Sequence, residues 1–202
     1  MKHRFRVVEE QDCTVAVAIG AYLDCEHYVH LHRSIMTKLS IDKVEGRKVT
    51  WRQGLRWLGF LKITQTFVME YFPPGHFKSY DMKAYPRWLP QFHHFVKTVM
   101  DVRYTKHPQR DATVMTFDCE MDMPFFLWPF RNVFQGIVEK MHHLKDQEDL
   151  DMIHRRDKFF GRGNINSYLA EGQFLLFKDD YVAHFAHEAQ RAQPATAAEL
   201  NA

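Results

Sequence analysis

Residues 23–32, LDCEHYVHLH, place three histidines, an aspartate and a glutamate within ten positions. Asp24, His27 and His32 within this stretch have the spacing Asp-x-x-His-x-x-x-x-His. Imidazole is the commonest metal ligand in proteins and the usual acid–base group near neutral pH. The stretch is therefore a candidate metal site. The alternative is an ordinary polar helix whose histidines are solvated or hydrogen-bonded.

A regular helix would bring only part of this motif together. Asp24 and His27 are three residues apart and would lie side by side. His27 and His32 are five apart, which separates them by roughly 140° around an α-helix. The two histidines converge on one ion only if the helix ends between them or contains a π-type bulge, a feature that favours functional sites.

The segment 21–32, AYLDCEHYVHLH, resembles the iron-binding motif of the Rieske-type non-haem iron oxygenases. The resemblance implies that His27 and His32 bind a mononuclear Fe(II), and that Asp24 hydrogen-bonds one of these histidines. Two imidazoles and one carboxylate on one face of the metal would leave positions open for oxygen and substrate.

The family's third iron ligand is an aspartate on a long C-terminal helix. Residues 147–150, QEDL, are similar to that segment, and the resemblance implies that Asp149 is the ligand. Asp146 and Asp151 remain alternatives. A further metal arrangement from His142, Asp146 and Asp149 on one helix is conceivable as well.

The sequence departs from the family at the Rieske cluster, which needs a Cys-x-His and a Cys-x-x-His pair. Cys25-Glu26-His27 has the first spacing but overlaps the iron motif, and Cys119 is followed by Glu-Met-Asp. We therefore expect no Rieske cluster in this chain. Electrons would come from a separate electron-transfer protein, from the substrate or from a cosubstrate.

Phe, Tyr and Trp make up 14% of the chain, which indicates a bulky core or a cavity lined with rings. His93 and His94 fall in a predicted strand, where neighbours point to opposite faces, so one of them is expected to face the cavity. The candidate substrate-binding residues are Trp88, His93, Phe95, Phe117 and Phe126.

The strands and helices that must position these residues are predicted from the sequence pattern. Residues 4–19 favour a strand that Gly20 ends, and residues 21–34 favour a short helix. Further strands are predicted at 35–44, 48–60, 61–72, 92–104 and 112–123, with a turn at 73–76 and an irregular loop or lid over 76–91.

From Phe130 the apolar residues recur at helical spacing, which predicts a long helix to about Phe159 with Gly161-Arg162-Gly163 as its end. Residues 170–187 favour a further helix with a strand-like piece at 174–177. The predicted fold class is α+β, because the element order is a strand, a short helix, several antiparallel strands and a long helix. It resembles the helix-grip fold of the START-like (SRPBCC) superfamily, in which a curved antiparallel β-sheet wraps around a long C-terminal helix and leaves an internal cavity.

Length and composition limit the other possibilities. The 202 residues predict a single domain over 1–186, with a flexible Ala- and Gln-rich tail over 187–202. A net charge of +2 gives no reason to expect nucleic acid as a partner. The longest apolar run, 14–23, is too short to span a membrane. Three cysteines are an odd and sparse set, which favours a reducing, cytoplasmic location. The sequence leaves open whether the chain forms a homo-oligomer.

Two functions fit this sequence. The first is a mononuclear non-haem iron oxygenase-like protein that acts on an apolar or aromatic small molecule, with electrons supplied from outside the chain. The second is a metal-free START-like module, either a lipid- or polyketide-binding protein or a cyclase, because the same fold hosts many functions.

Overall fold

The computed structural model describes residues 1–32, 35–57, 61–85 and 92–191. Its strands are β1 (Lys2–Gln11), β2 (Met36–Glu45), β3 (Lys48–Trp57), β4 (Leu61–Phe72), β5 (His76–Tyr85), β6 (Lys97–Lys106) and β7 (Thr113–Asp122). Its α-helices are α1 (Val15–Leu23), α2 (Cys25–Leu31), α3 (Phe92–Phe95), α4 (Arg131–Phe160), α5 (Asn166–Leu169) and α6 (Lys178–Arg191), and a 3₁₀ turn covers Trp128–Phe130.

The strands form one antiparallel sheet in the order β1-β7-β6-β5-β4-β3-β2. Strands β2 to β7 follow one another as a meander, and β1 pairs with β7 at the other edge of the sheet. The pairing register shifts twice along β2 and once between Thr66 and Val68 of β4. Such irregularities bend a strand, and the sheet is curved.

Helix α4 packs against this sheet, and the sequence predicted its bounds closely. Its 30 residues run from Arg131 to Phe160, against a predicted range of 130 to about 159. Gly161 follows with φ of 86°, a backbone conformation that glycine adopts at little cost. Ile153 is buried in the core, while Phe134, Val138 and Met152 pack against it.

Helix α1 occupies a stretch for which we predicted the end of a strand. Thr14 caps this helix, because its hydroxyl accepts a hydrogen bond from the amide of Val17 at 3.4 Å. Gly20 lies inside α1 rather than ending the element. The run was misread because nearly every residue of α1 is buried, so the stretch lacks the polar face that marks a helix in a sequence.

Two further local predictions are wrong. Residues 76–85 form strand β5 rather than a loop or lid, and Phe77 and Ser79 are buried while Lys78 between them is exposed, as in a half-buried strand. Residues 92–95 form the short helix α3, so the strand expected from Phe92 begins only at Lys97.

The C-terminal part also differs from expectation. Residues 170–177 separate α5 from α6 and contain turns rather than a helix. Helix α6 continues to Arg191, so the first residues of the expected tail are helical, and positions 192–202 lie outside the described residues. In the described ranges, no helix has the length and apolar character needed to cross a membrane.

Candidate metal centre and cavity

His27 and His32 come together because α2 ends between them. The helix stops at Leu31, and His32 follows as its cap with φ of −88° and ψ of 38°, outside helical geometry. The ring centroids of the two histidines are 5.7 Å apart. Of the two irregularities that the sequence allowed, the structure has the helix end.

Asp149 of α4 meets both histidines. Its Oδ1 lies 3.2 Å from Nε2 of His27 and 3.3 Å from Nε2 of His32. One ligand atom from each of the three residues falls within 4.8 Å of the others. Of the two alternative carboxylates, Asp146 belongs to a different group of side chains and Asp151 is exposed to solvent.

The facing atoms of this cluster are buried and lack hydrogen bonds. Both ring nitrogens of His27, Nε2 of His32 and Oδ1 of Asp149 are shielded from solvent, yet none has a hydrogen-bond partner within the described parts of the chain. Buried polar atoms are rarely left in this state without a water or an ion. Two imidazoles and a carboxylate are also a donor set that suits Fe(II), so the residues fit the metal that the resemblance implies.

The electrostatics of the cluster favour an ionised carboxylate. Burial raises the pKa of Asp149, but the two imidazoles together outweigh this effect and hold the pKa below its ordinary value. Burial lowers the pKa of His32, whereas Asp149 and Glu148 raise it by more, so the net pKa is raised. Both neighbouring carboxylates therefore favour the protonated form of His32.

Glu148 fixes the orientation of His32. Nδ1 of His32 donates a hydrogen bond to Oε2 of Glu148 at 2.7 Å, which turns Nε2 towards Asp149. A carboxylate on the outer nitrogen of a ligating histidine sets the tautomer and the ring orientation. In the sequence Glu148 is only part of the 147–150 match, and no local pattern indicates its contact with His32, 116 positions away.

Asp24 lies beside His27 but interacts mainly with other residues. Its Oδ2 is 3.9 Å from Nδ1 of His27, which is longer than a hydrogen bond. Arg156 donates to Asp24 at 3.1 Å and Gln173 at 3.2 Å, while the amide of Glu26 donates to it at 3.3 Å as the cap of α2. Asp24 is 1% exposed, so it is a buried carboxylate with an internal cation partner.

A cavity of about 580 Å³ lies between the sheet and α4. Apolar and aromatic side chains from both form most of its wall, among them Trp51, Phe67, Phe117 and Met141. Asp149 reaches the same cavity, and the polar residues Lys145, Asp146 and His142 lie near it along α4. The cluster of His27, His32 and Asp149 is therefore continuous with an otherwise apolar chamber.

Two tyrosines lie near the cluster of His27, His32 and Asp149. Tyr22 and Tyr28 both line the cavity, and the ring of Tyr28 stacks on His27 with centroids 4.4 Å apart. Burial raises the pKa of both tyrosines well above the ordinary value. Both side chains are therefore neutral near pH 7 and add no negative charge beside Asp149.

The structure places the predicted substrate-binding residues in different settings. Phe117 is buried and lines the cavity. Phe95 and Phe126 pack edge to face on each other, are half exposed, and are not among the described residues that line the cavity. Trp88 and the side chain of His93 lie outside the described residues.

Comparison with known proteins supports the fold. No protein-family model and no curated protein sequence matches the chain. Among solved structures, the aromatase/cyclase Zhui from Streptomyces sp. R1128 superposes with a TM-score of 0.60 at 11% identity, covering 77% of this chain and 96% of that one.

Two other enzymes show the same likeness. The dicamba monooxygenase bound to 3,6-dichlorosalicylic acid gives a TM-score of 0.58 at 10% identity, over 95% of this chain and 59% of that one. A norcoclaurine synthase from Thalictrum flavum gives 0.55 at 12% identity, over 75% and 96%. At such identities the likeness shows the fold alone. The chain has an α+β helix-grip fold, which confirms the predicted architecture.

Proposed function

We propose that the chain is a mononuclear non-haem iron protein that oxidises an apolar or aromatic small molecule held in its cavity. The observation that carries this proposal is the meeting of His27, His32 and Asp149. Their facing atoms are buried, lack hydrogen bonds among the described residues, and lie at the edge of an apolar chamber. The fold and the cavity alone support the broader function of binding a hydrophobic ligand.

When bound, Fe(II) would supply oxidative chemistry at the positions that two histidines and one carboxylate leave open. The chain's own residues prepare the site. Glu148 holds the Nδ1 proton of His32, so that the Nε2 lone pair faces the centre. Asp149 stays ionised because the imidazoles hold its pKa down. The apolar wall orients the ligand and excludes water.

Electrons are proposed to come from outside the chain, because the sequence contains no pair of motifs for a Rieske cluster. A separate electron-transfer protein is one source, and the substrate or a cosubstrate is another. Of the similar structures, the dicamba monooxygenase is named as an oxygenase, and this chain spans 59% of that protein.

The second candidate function is a metal-free binding protein or cyclase. It is favoured by the largely apolar cavity and by the likeness to the Zhui aromatase/cyclase. In that case the His27, His32 and Asp149 cluster is an internal ion-pair network, and protons rather than a metal neutralise it.

Metal analysis separates the two candidates. Protein purified without a histidine tag is loaded anaerobically with Fe(II), desalted and analysed for iron. We expect the variant His27→Ala/His32→Ala to hold about one iron per chain less than the wild type, because both imidazole ligands are gone. The matched control is His30→Ala, which removes an exposed histidine of the same helix and should leave the iron content unchanged.

A second pair of variants tests the carboxylate. Asp149→Ala should lower the iron content as the histidine variant does. Asp151→Ala, which removes an exposed carboxylate two positions further along α4, should not. Equal iron in the wild type and in the double histidine variant would reject the iron site and favour the metal-free function.

A further inference from the structure

A second group of potential metal ligands lies at the cavity, apart from the first. It consists of Glu9 from β1 and His142 and Asp146 from α4, and one ligand atom from each lies within 4.8 Å of the others. His142 and Asp146 also line the cavity. The sequence indicated His142 and Asp146 as conceivable ligands, but it gave no sign of Glu9, which reaches them only through the packing of β1 under α4.

Two polar atoms of this group are buried and unsatisfied among the described residues. Nδ1 of His142 and Oδ2 of Asp146 are shielded from solvent and have no hydrogen-bond partner among the residues that the structure describes. The two atoms are in contact without hydrogen-bond geometry. The side chain of Asp146 is 10% exposed, and its unpaired oxygen faces the group. Lone pairs that converge in this way are typical of a site that holds a cation.

The charges of the group also favour a bound cation. Two carboxylates meet one imidazole, Nδ1 of His143 lies 3.4 Å from Oε1 of Glu9, and Lys145 of α4 interacts electrostatically with Asp146. Two carboxylates this close repel each other when both are ionised, and a bound cation would relieve that repulsion.

We propose that Glu9, His142 and Asp146 form a second divalent-metal site in the cavity wall. One imidazole and two carboxylates suit Zn²⁺, Mn²⁺ or Fe²⁺. Three protein ligands leave at least one coordination position, as in metal sites that bind water or substrate. Since His142 and Asp146 line the cavity, that position would be open to an oxygen group of a bound ligand, such as a hydroxyl, carbonyl or carboxylate.

This site shares no ligand with the His27, His32 and Asp149 cluster, so it is tested in a background that lacks the first cluster. His27→Ala/His32→Ala protein is stripped with a chelator, and Zn²⁺ binding is measured by isothermal titration calorimetry. We expect about one Zn²⁺ per chain, because the three second-site ligands are intact. No Zn²⁺ binding in this background would overturn the second site and would leave the iron proposal untouched.

Further substitutions in the same background identify the ligands. His142→Ala and Asp146→Asn should each weaken Zn²⁺ binding more than about tenfold, since even changes behind the ligands have effects of this size. His154→Ala is the matched control, because it removes an exposed histidine of α4 without touching the group. Asp146→Asn preserves the shape of the side chain, and circular dichroism checks that the variant is folded. Equal affinity in His142→Ala and His154→Ala would overturn the proposal.

Discussion

His32 has an acidic residue beside each of its ring nitrogens. Nδ1 donates to Glu148, and Nε2 faces Asp149 at 3.3 Å. The two acidic residues are adjacent in the sequence, so a single turn of α4 provides both the partner that orients the imidazole and the carboxylate that would share the metal with it. His27 has no equivalent support, because Nδ1 of His27 is 3.9 Å from Asp24.

This difference between His32 and His27 predicts the effect of replacing Glu148. Glu148→Ala should weaken Fe(II) or Zn²⁺ affinity at the first site by about 10- to 100-fold, because the ring of His32 loses its outer partner. The affinity is measured by competition with a chelating dye. Gln147→Ala, which changes an exposed neighbour, should have no effect. Wild-type affinity in Glu148→Ala would show that packing alone orients His32.

Asp24 is predicted to matter more for stability than for metal affinity. Asp24→Ala removes the partner of Arg156 and the cap of α2, and losing one member of a buried ion pair costs about 3 kcal/mol. Urea unfolding of the metal-free protein measures this loss. Asp24→Asn should lose less, because asparagine still caps the helix. A large drop in metal affinity at unchanged stability would instead support the role that the sequence resemblance implies, in which Asp24 supports His27.

At the scale of elements, the end of α2 is the feature that makes the site. A continuous helix would separate His27 and His32 by roughly 140°. Because the helix ends at Leu31, His32 turns back towards α4 and both Nε2 atoms reach the same carboxylate oxygen. The sequence could state this requirement, but the choice between a helix end and a bulge depended on the packing around α2.

Helix α1 packs closely against α5 and α6, and this packing needs its glycine. A methyl group on Gly20 would lie 2.7 Å from Cδ2 of Tyr168 and 2.8 Å from the hydroxyl oxygen of Tyr181. Both tyrosines are buried, and the hydroxyl of Tyr181 donates to the carbonyl of Ala16 at 2.8 Å. Helices α5 and α6 can therefore approach α1 only because residue 20 has no side chain.

Two helical glycines should then respond in opposite ways to alanine. Gly20→Ala should destabilise the fold by about 1 to 3 kcal/mol, because overpacking outweighs the better helix propensity of alanine. Gly136→Ala, on the exposed face of α4 with no atom near the added methyl, should stabilise it by about 0.5 to 1 kcal/mol. Thermal or urea unfolding compares the two variants. A stabilising Gly20→Ala would contradict the close contact.

At the scale of the whole molecule, sheet and helix leave a chamber rather than a solid core. The strands contribute Trp51, Phe67 and Val102 to its wall, and α4 contributes Met141 together with the polar residues near Asp149. An apolar ligand bound in this chamber would lie next to both groups of potential metal ligands. Ligand binding should therefore be measurable whether or not a metal is present.

A fluorescent probe tests this chamber directly. N-phenyl-1-naphthylamine should bind to metal-free protein with enhanced fluorescence, and Val102→Trp should weaken its binding about tenfold or more by filling the cavity. Val133→Trp adds the same indole at a position on α4 that is 60% exposed and should leave binding unchanged. Equal loss in both variants, or none in either, would mean that the probe binds outside the cavity.

Local sequence patterns predicted the elements whose two faces differ in polarity. The long helix, the strands β2, β3, β4 and β7, and the turn at 73–76 follow from periodicity and from turn residues. The pattern failed for α1, which is buried on nearly all sides, and for β5, where prolines at 86 and 90 suggested a loop over the whole of 76–91. Periodicity is uninformative for an element that is buried on nearly all sides, such as α1.

The sequence by itself determined which groups could do chemistry: the histidines at 27 and 32, and an acidic stretch on a late helix. Only the tertiary structure decided that Asp149 is the carboxylate they meet, that Glu148 orients His32, and that Glu9 joins His142 and Asp146. The physical reason is distance along the chain. These contacts join residues more than 100 positions apart, and they form only when α4 lies across the sheet and beside the end of α2.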